Sequence, residues 1–491
     1  MIAPVDAVAA EWVKLTTPRF TVISQVSESR TRAWAADFER FRRGLNQLLP
    51  APPERLEPLR VVLFRSDRLF RPFKPLAAGK PADVGGVFFL QPGRSLAAVA
   101  VDGARSDTRE RIFHEATHWH LAAFDRDLPL WLNEGLAEVF SNFELRGDNF
   151  LVGTIRQGDL KYVHTFGPLP FVRLAAIRDG SLDYDWQHIG ETELVYAQSW
   201  TTVHFLLFER PNGLPNMLRF LRNTSVDADA LEEVRRCFGL SPAELDREVA
   251  AYAMRRRVNA FSAPLDRRDV GKDFVLQPAE KGDVDLALGE LLLGSERYAD
   301  AAPYLARAAA ALPDDPAPQA CLGEVALASK HAQEAYEHFA RSLELGGDSF
   351  IAYYFTAMSE WGEWMERGAA GPESRKTLDH IVRNLVNSLQ MNRRFSGGYE
   401  GAGLVLASAA DPAVVRQLEP WVREGERRYP SSPGVQIGLG YLALRDGDLD
   451  RARVCAGRAR AARTNDPALV TLLCQRLAEV LAQMAKNSPT K

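Results

Sequence analysis

The sequence predicts an α+β N-terminal domain, a small mixed sheet plus a helical subdomain, followed by an all-α repeat solenoid. Three observations carry this. β-rich runs alternate with helical patterning over residues 12–106. From 107 to 258 the signals are mainly helical, and three of the chain's nine histidines fall within seven residues there. Beyond 282 the residue pattern recurs with a period of 34.

Length and composition set the bounds. The 491 residues are 46% hydrophobic and 25% charged, ordinary globular values for two or three domains. With 60 basic and 64 acidic residues the net charge is −4, which leaves no footprint for nucleic acid or an anionic membrane. No apolar run approaches a membrane span. Cys237, Cys321, Cys455 and Cys474 form no C-x-x-C and read as buried core residues. Residues 1–11, "MIAPVDAVAAE", have no basic n-region, yet "AVAA" resembles the small-residue end of a secretory signal. That reads as a tail or a signal-peptide remnant and leans toward a periplasmic or secreted protein.

The elements follow in order. "RFTVIS" (19–24) and "LRVVLF" (59–64) are strand runs, with an amphipathic helix over 28–49 ending before Pro50. "GGVFFL" (85–90) and "LAAVAVD" (96–102), joined by "QPGRS", form a hairpin. These make up the α/β subdomain, 12–106. The helical subdomain, 107–258, opens with a helix from about Asp107 to Phe124, and Pro129 suits the first turn of the next.

The first of these helices carries "HEATH" (114–118). His114 and His118, four residues apart, share one helix face and can converge on a single ion. Glu115 is rotated about 100° from His114 and stands beside the ion rather than on it. This is H-E-x-x-H, where the Glu serves as general base toward the attacking water. "LPLWLNEGLAEVF" (128–140) supplies a third ligand: two antiparallel helices joined by a short turn bring Glu134 opposite the histidines. Two His and one carboxylate leave the fourth position of a zinc ion open, as catalysis requires. The alternative third histidine of other zinc proteases is absent, since Leu121 and Phe124 occupy the required offsets. His120 points away from the pair and is not a ligand.

A linker is expected at 259–282, with helical repeats over 283–484. Gly289, Ala301, Leu305 and Ala308 recur as Gly323, Ala335, Phe339 and Ser342. Gly440 and Ala452 match the same offsets in a later copy, while 346–410 is helical but off-register. Residue types and period resemble tetratricopeptide repeats.

"HEATH" with "WLNEG" resembles the gluzincins, zinc peptidases that pair H-E-x-x-H with a downstream Glu. The whole chain is similar to the bacterial Peptidase-MA-like family, which joins a compact gluzincin domain to tetratricopeptide repeats. The resemblance covers roughly 12–258 for the catalytic domain. It implies one zinc per chain on His114, His118 and Glu134, with Glu115 as the base. It also implies that Glu138, one turn beyond Glu134, hydrogen-bonds behind a ligand histidine and fixes its tautomer. Gly135 would let the two motif helices approach closely. "VYAQSWTTVHFLLFE" (195–209) is similar to the family helix that starts with a cleft tyrosine, which makes Tyr196 the oxyanion donor and His204 its rival. The strand 84–90 would pair with an extended substrate. Aminopeptidases of this branch hold the substrate amine with a strand Glu that "DVGGVFFLQPG" lacks, so cleavage within a chain is expected.

The expected function is therefore a zinc endopeptidase acting on a protein or peptide substrate, with the repeats recruiting substrate or a protein partner. Two rivals stand beside it: a tetratricopeptide binding scaffold with a degenerate gluzincin domain, and a zinc hydrolase of non-peptide amides.

Overall fold

The computed structural model describes residues 12–52, 58–91, 93–102, 106–124, 128–177, 189–223, 229–266, 269–367, 372–409, 411–461, 474–475 and 478–482. The expected tail or signal remnant, 1–11, lies outside them. The chain divides into two compact units at Arg297/Tyr298.

The first unit begins with β1 (Val13–Thr16), β2 (Phe20–Ser24), α1 (Glu28–Leu48), β3 (Leu59–Phe64) and the short helix α2 (Asp67–Phe70). A two-stranded ribbon, β4 (Leu76–Ala77) and β5 (Lys80–Pro81), precedes the hairpin of β6 (Gly86–Gln91) and β7 (Arg94–Ala100). The hairpin turn needs a left-handed residue, and Gly93 supplies it at φ +80°. Helices α3 (Ser106–Leu121) and α4 (Leu130–Ser141) follow, then β8 (Glu144–Arg146) and β9 (Asn149–Val152). The rest is α5 (Gln157–Phe166), α6 (Phe171–Ala176), α7 (Ile189–His204), α8 (Gly213–Asn223), α9 (Ala230–Phe238), α10 (Pro242–Ala253), β10 (Phe261–Pro264), β11 (Val275–Pro278) and α11 (Lys281–Gly294).

Six strands form one sheet in the order β11-β1-β2-β3-β7-β6. β2, β3 and β7 run parallel, and the strands outside them are antiparallel to their neighbours. Parallel strands are covered on both faces, which is why "LRVVLF" is apolar almost throughout. On one face Leu15, Val22, Val61 and Ala97 join Phe38, Phe41 and Leu45 of α1 in a core that continues into α3 and α4. Each buried Val, Leu or Phe among them contributes about 1.5–3 kcal/mol over exposure. The opposite face receives α11: Lys14 Nζ lies 2.6 Å from Asp283 Oδ1, Arg60 pairs with Glu290, and Gly294 sits on the Phe89 ring.

The stretch expected to be a linker is therefore partly structural. β10 pairs antiparallel with β9, Phe261 opposite Val152, in a small sheet ordered β10-β9-β8. β11 pairs with β1, Val13 opposite Pro278. Both are edge strands, where the prolines in "FSAP" and "VLQP" are tolerated because no ladder bond is lost on the open side. The helix expected to open the repeats, α11, belongs to the first unit.

The described residues of the second unit are helical. α12 (Tyr298–Ala311), α13 (Pro316–Ala328), α14 (Ala332–Glu344), α15 (Phe350–Arg367), α16 (Pro372–Met391), α17 (Ser396–Ala409), α18 (Pro412–Arg428), α19 (Pro433–Arg445) and α20 (Leu449–Ala461) follow one another. The repeat positions explain the pairing. Ala335, Phe339 and Ser342 are buried, and the Phe339 ring fills the space over Gly323, where a Cβ would come within 2.6 Å. Ala301, Leu305 and Ala308 are buried likewise. α15 and α16, at 18 and 20 residues, exceed the 13-residue α13 and α14, which accounts for the off-register middle. Among the described residues no helix is long and apolar enough to cross a membrane. All four cysteines are free and buried.

Candidate metal centre

α3 is anchored by Ile112, Phe113, Ala116 and Trp119, all buried, with Phe113 stacked on Phe41 of α1 at 4.1 Å between centroids. That face fixes the helix rotation, and His114 and His118 emerge beside it, each only partly exposed. α4 follows Pro129, its N-cap residue, and is anchored by Trp131, Leu132, Leu136 and Val139. Glu134 is thereby aimed at the histidine pair.

Three ligand atoms converge. His114 Nε2 and His118 Nε2 are 3.1 Å apart, and Glu134 Oε2 lies 3.4 Å from the first and 3.6 Å from the second. Ligands about 2.0–2.2 Å from a tetrahedral zinc stand about 3.3–3.6 Å from one another, so the triangle has the right size. His114, His118 and Glu134 are also the one His/Cys/Asp/Glu group among the described residues with ligand atoms close enough to share an ion.

The donor chemistry agrees. His118 Nδ1 lies 3.1 Å from Asn133 Oδ1, and His114 Nδ1 lies 3.4 Å from Glu138 Oε1. Oxygen acceptors at both Nδ1 atoms hold a ring proton there and turn both Nε2 atoms toward the Glu134 carboxylate, where a proton or a metal ion can bridge them. Two imidazole nitrogens and a carboxylate gathered at one point suit a cation. Burial opposes charge on Glu134, but hydrogen bonds from His114 and His118 outweigh it and hold the carboxyl at about 2. Burial likewise works to lower His118, yet its hydrogen bond with Glu134 carries the ring above the ordinary histidine value. Glu115 is half-buried on α3, and its charge acts in the same direction on His118.

Glu138 stands beside His114 and also pairs with Arg156, whose Nε lies 2.7 Å from Asp159 Oδ2. Gly135 has a different partner from the expected one. A Cβ there would come within 2.5 Å of the Ser199 carbonyl oxygen and of Val203, so the glycine admits α7, not α3. The reason is its rotation on α4, about 100° round from Glu134. Tyr196 is half-buried on that same α7, one turn before Ser199.

His204 cannot serve as the rival oxyanion donor. It is fully buried, its Nε2–H donates to the Gly153 carbonyl at 2.7 Å, and its Nδ1 accepts from the Tyr252 hydroxyl at 2.8 Å. Burial drives its pKa down to about 4. His120 is also a core residue: it is buried, and its Nε2–H donates to the Leu49 carbonyl at 2.7 Å. Two residues of the centre were not anticipated. Asn133 was visible only as the residue before Glu134 in "WLNEG". Arg156 gave no signal, because it reaches Glu138 from a loop 18 residues on.

No protein-family model matches the chain, and no curated protein matches it. Among solved structures it is similar to YrrB, a TPR protein with an unusual peptide-binding site. That match has 11% identity over 40% of this chain and 90% of YrrB, with a TM-score of 0.29. It is also similar to a thermophilic TPR protein of Thermus thermophilus, at 20% identity over 41% of this chain and 99% of that one, TM-score 0.25. A third is pilF of Pseudomonas aeruginosa, at 18% identity over 42% and 86%, TM-score 0.28. With TM-scores below 0.5, these likenesses carry no inference about the site.

Proposed function

We propose that the first unit is a zinc-dependent peptidase that cuts within polypeptide chains, and that the repeats recruit its substrate or a protein partner. The observation carrying this reading is the triangle of His114 Nε2, His118 Nε2 and Glu134 Oε2, with edges of 3.1, 3.4 and 3.6 Å. A zinc ion bound there would polarise the scissile carbonyl and make the attacking water acidic enough to ionise near neutral pH. Glu115 would take a proton from the attacking water and return it to the leaving amine. Tyr196 donates a hydrogen bond to the oxygen that becomes negative. β6 lies at the edge of the six-stranded sheet and runs against α3, so an extended substrate can add to it as a further strand beside the histidines.

A second reading is a protein-binding scaffold in which the repeats do the work and the α3/α4 centre is inert. At the coarse level it is the better supported of the two. A helical repeat array is present in the chain, and no comparison bears on catalysis.

Metal analysis of protein purified without added zinc, with a general protease assay on the same sample, separates the two. The peptidase reading expects one zinc per chain and cleavage that Glu115→Gln lowers by about 10²-fold or more while zinc stays bound. Stoichiometric zinc with no hydrolysis of any peptide or other amide, and no effect of Glu115→Gln, leaves the scaffold. Hydrolysis confined to non-peptide amides would keep the chemistry and change the substrate class.

A further inference from the structure

We propose that Arg156 is a positioning residue of the α3/α4 centre: it holds the Glu138 carboxylate against His114 and thereby sets the affinity for the metal. The inference rests on the zinc reading above. Glu138 uses its two oxygens in two directions. Oε1 lies 3.4 Å from His114 Nδ1, and Oε2 pairs with the Arg156 guanidinium. The guanidinium is gripped on its other edge by Asp159, 2.7 Å from Nε. Charges therefore alternate along Glu138, Arg156 and Asp159, and the series ends on the ligand ring.

The placement of Arg156 is itself enforced. It is the N-cap residue of α5, three residues after Gly153. The Gly153 carbonyl accepts from buried His204, which Tyr252 holds from the other side. Gly153 has φ +70°, and a Cβ there would come within 2.4 Å of the Phe208 ring. The backbone leading to Arg156 is thus held by His204, itself held by Tyr252, and by the Phe208 ring. Without the guanidinium, Glu138 is a carboxylate close to Glu134 with no cation on its far side. Repulsion then turns it toward solvent, and the His114 ring loses the acceptor that fixes its tautomer and its aim. Loss of such an acceptor weakens metal binding by about 10–100-fold.

The test is zinc affinity, measured by chelator competition, for the wild type, Arg156→Gln, Glu138→Gln and the double variant. The metal-free melting temperature of each is recorded alongside. Arg156→Gln should weaken zinc by about 10–100-fold, and the double variant should bind no more weakly than Glu138→Gln alone. Arg156→Lys keeps the charge without the two-edged grip and should fall between; it carries the test if Arg156→Gln does not fold. Affinity of a folded Arg156 variant within about twofold of wild type overturns the proposal, as does a double variant whose losses multiply. A wild-type chain that binds no zinc overturns the metal reading first, and this inference with it.

Discussion

α4 packs against both α3 and α7, and His114 and His118 of the one are used differently from His204 of the other. His204, at the end of α7, spends both ring nitrogens on the fold, one on the Gly153 carbonyl and one on the Tyr252 hydroxyl. His114 and His118 use Nδ1 on an oxygen acceptor of the protein, and their Nε2 atoms meet each other and the Glu134 carboxylate. The second nitrogen separates them: in His204 it is bonded into the core, and in His114 and His118 it faces the other members of the candidate metal centre. A histidine's role is thus read from the hydrogen-bond account of both nitrogens.

The contrast is broken most directly by removing one histidine of each kind. His114→Ala should take zinc from one per chain to nearly none while the metal-free fold melts almost as before. His204→Ala should keep the ligand set but lose about 2–4 kcal/mol of stability, because the Gly153 carbonyl and the Tyr252 hydroxyl are left buried without partners. Metal analysis and urea unfolding on both variants check this. Zinc loss in His204→Ala without destabilisation, or unfolding in His114→Ala, would reverse the assignment.

Tyr196→Phe tests the oxyanion role in isolation. It removes one hydroxyl, so kcat should fall by about 10²-fold with KM, zinc and stability little changed. Steady-state kinetics read the outcome. An unchanged kcat would leave the oxyanion to the metal, since His204 is already committed elsewhere.

The same contrast sets a pH dependence. The His204 pKa is lowered to about 4 in the fold, from the ordinary histidine value of 6.5. Between those values the unfolded chain takes up the proton and the folded chain does not, so acid favours unfolding. Stability should fall as pH drops from 6.5 toward 4, by no more than about 1.4 kcal/mol per pH unit from this group, and no further below. The Glu209 carboxylate works against the shift but does not cancel the burial that causes it. Urea unfolding of wild type and His204→Gln across this range should show the extra slope in the wild type alone.

Much of the centre was legible before folding. The His114–His118 spacing depends only on helix geometry, and Glu134 follows on the next helix after a short turn, so three ligand candidates come from one local stretch. The repeat is legible for the same reason. Gly323 and Phe339 belong to consecutive helices, and their period survives in the sequence. The partners behind the ligands were less accessible. Glu138 was reached through family resemblance, and Arg156 through nothing, since its ion pair with Glu138 spans 18 residues without a periodic signal.

By itself the sequence determined which side chains share a helix face, which runs are buried on both sides as strands, and where the helical pattern repeats. These are consequences of backbone periodicity, which acts over a few residues. Tertiary structure alone decided the rest. It gave Gly135 to α7, made His204 a core residue, brought Arg156 to Glu138, and turned "FSAP" and "VLQP" into edge strands. Edge strands are recruited by backbone hydrogen bonds that any residue but proline can donate, so their side chains carry little pattern to read. The contacts at Gly135, His204 and Arg156 join segments 18 to 68 residues apart, and which groups meet over such distances is settled only when the core packs.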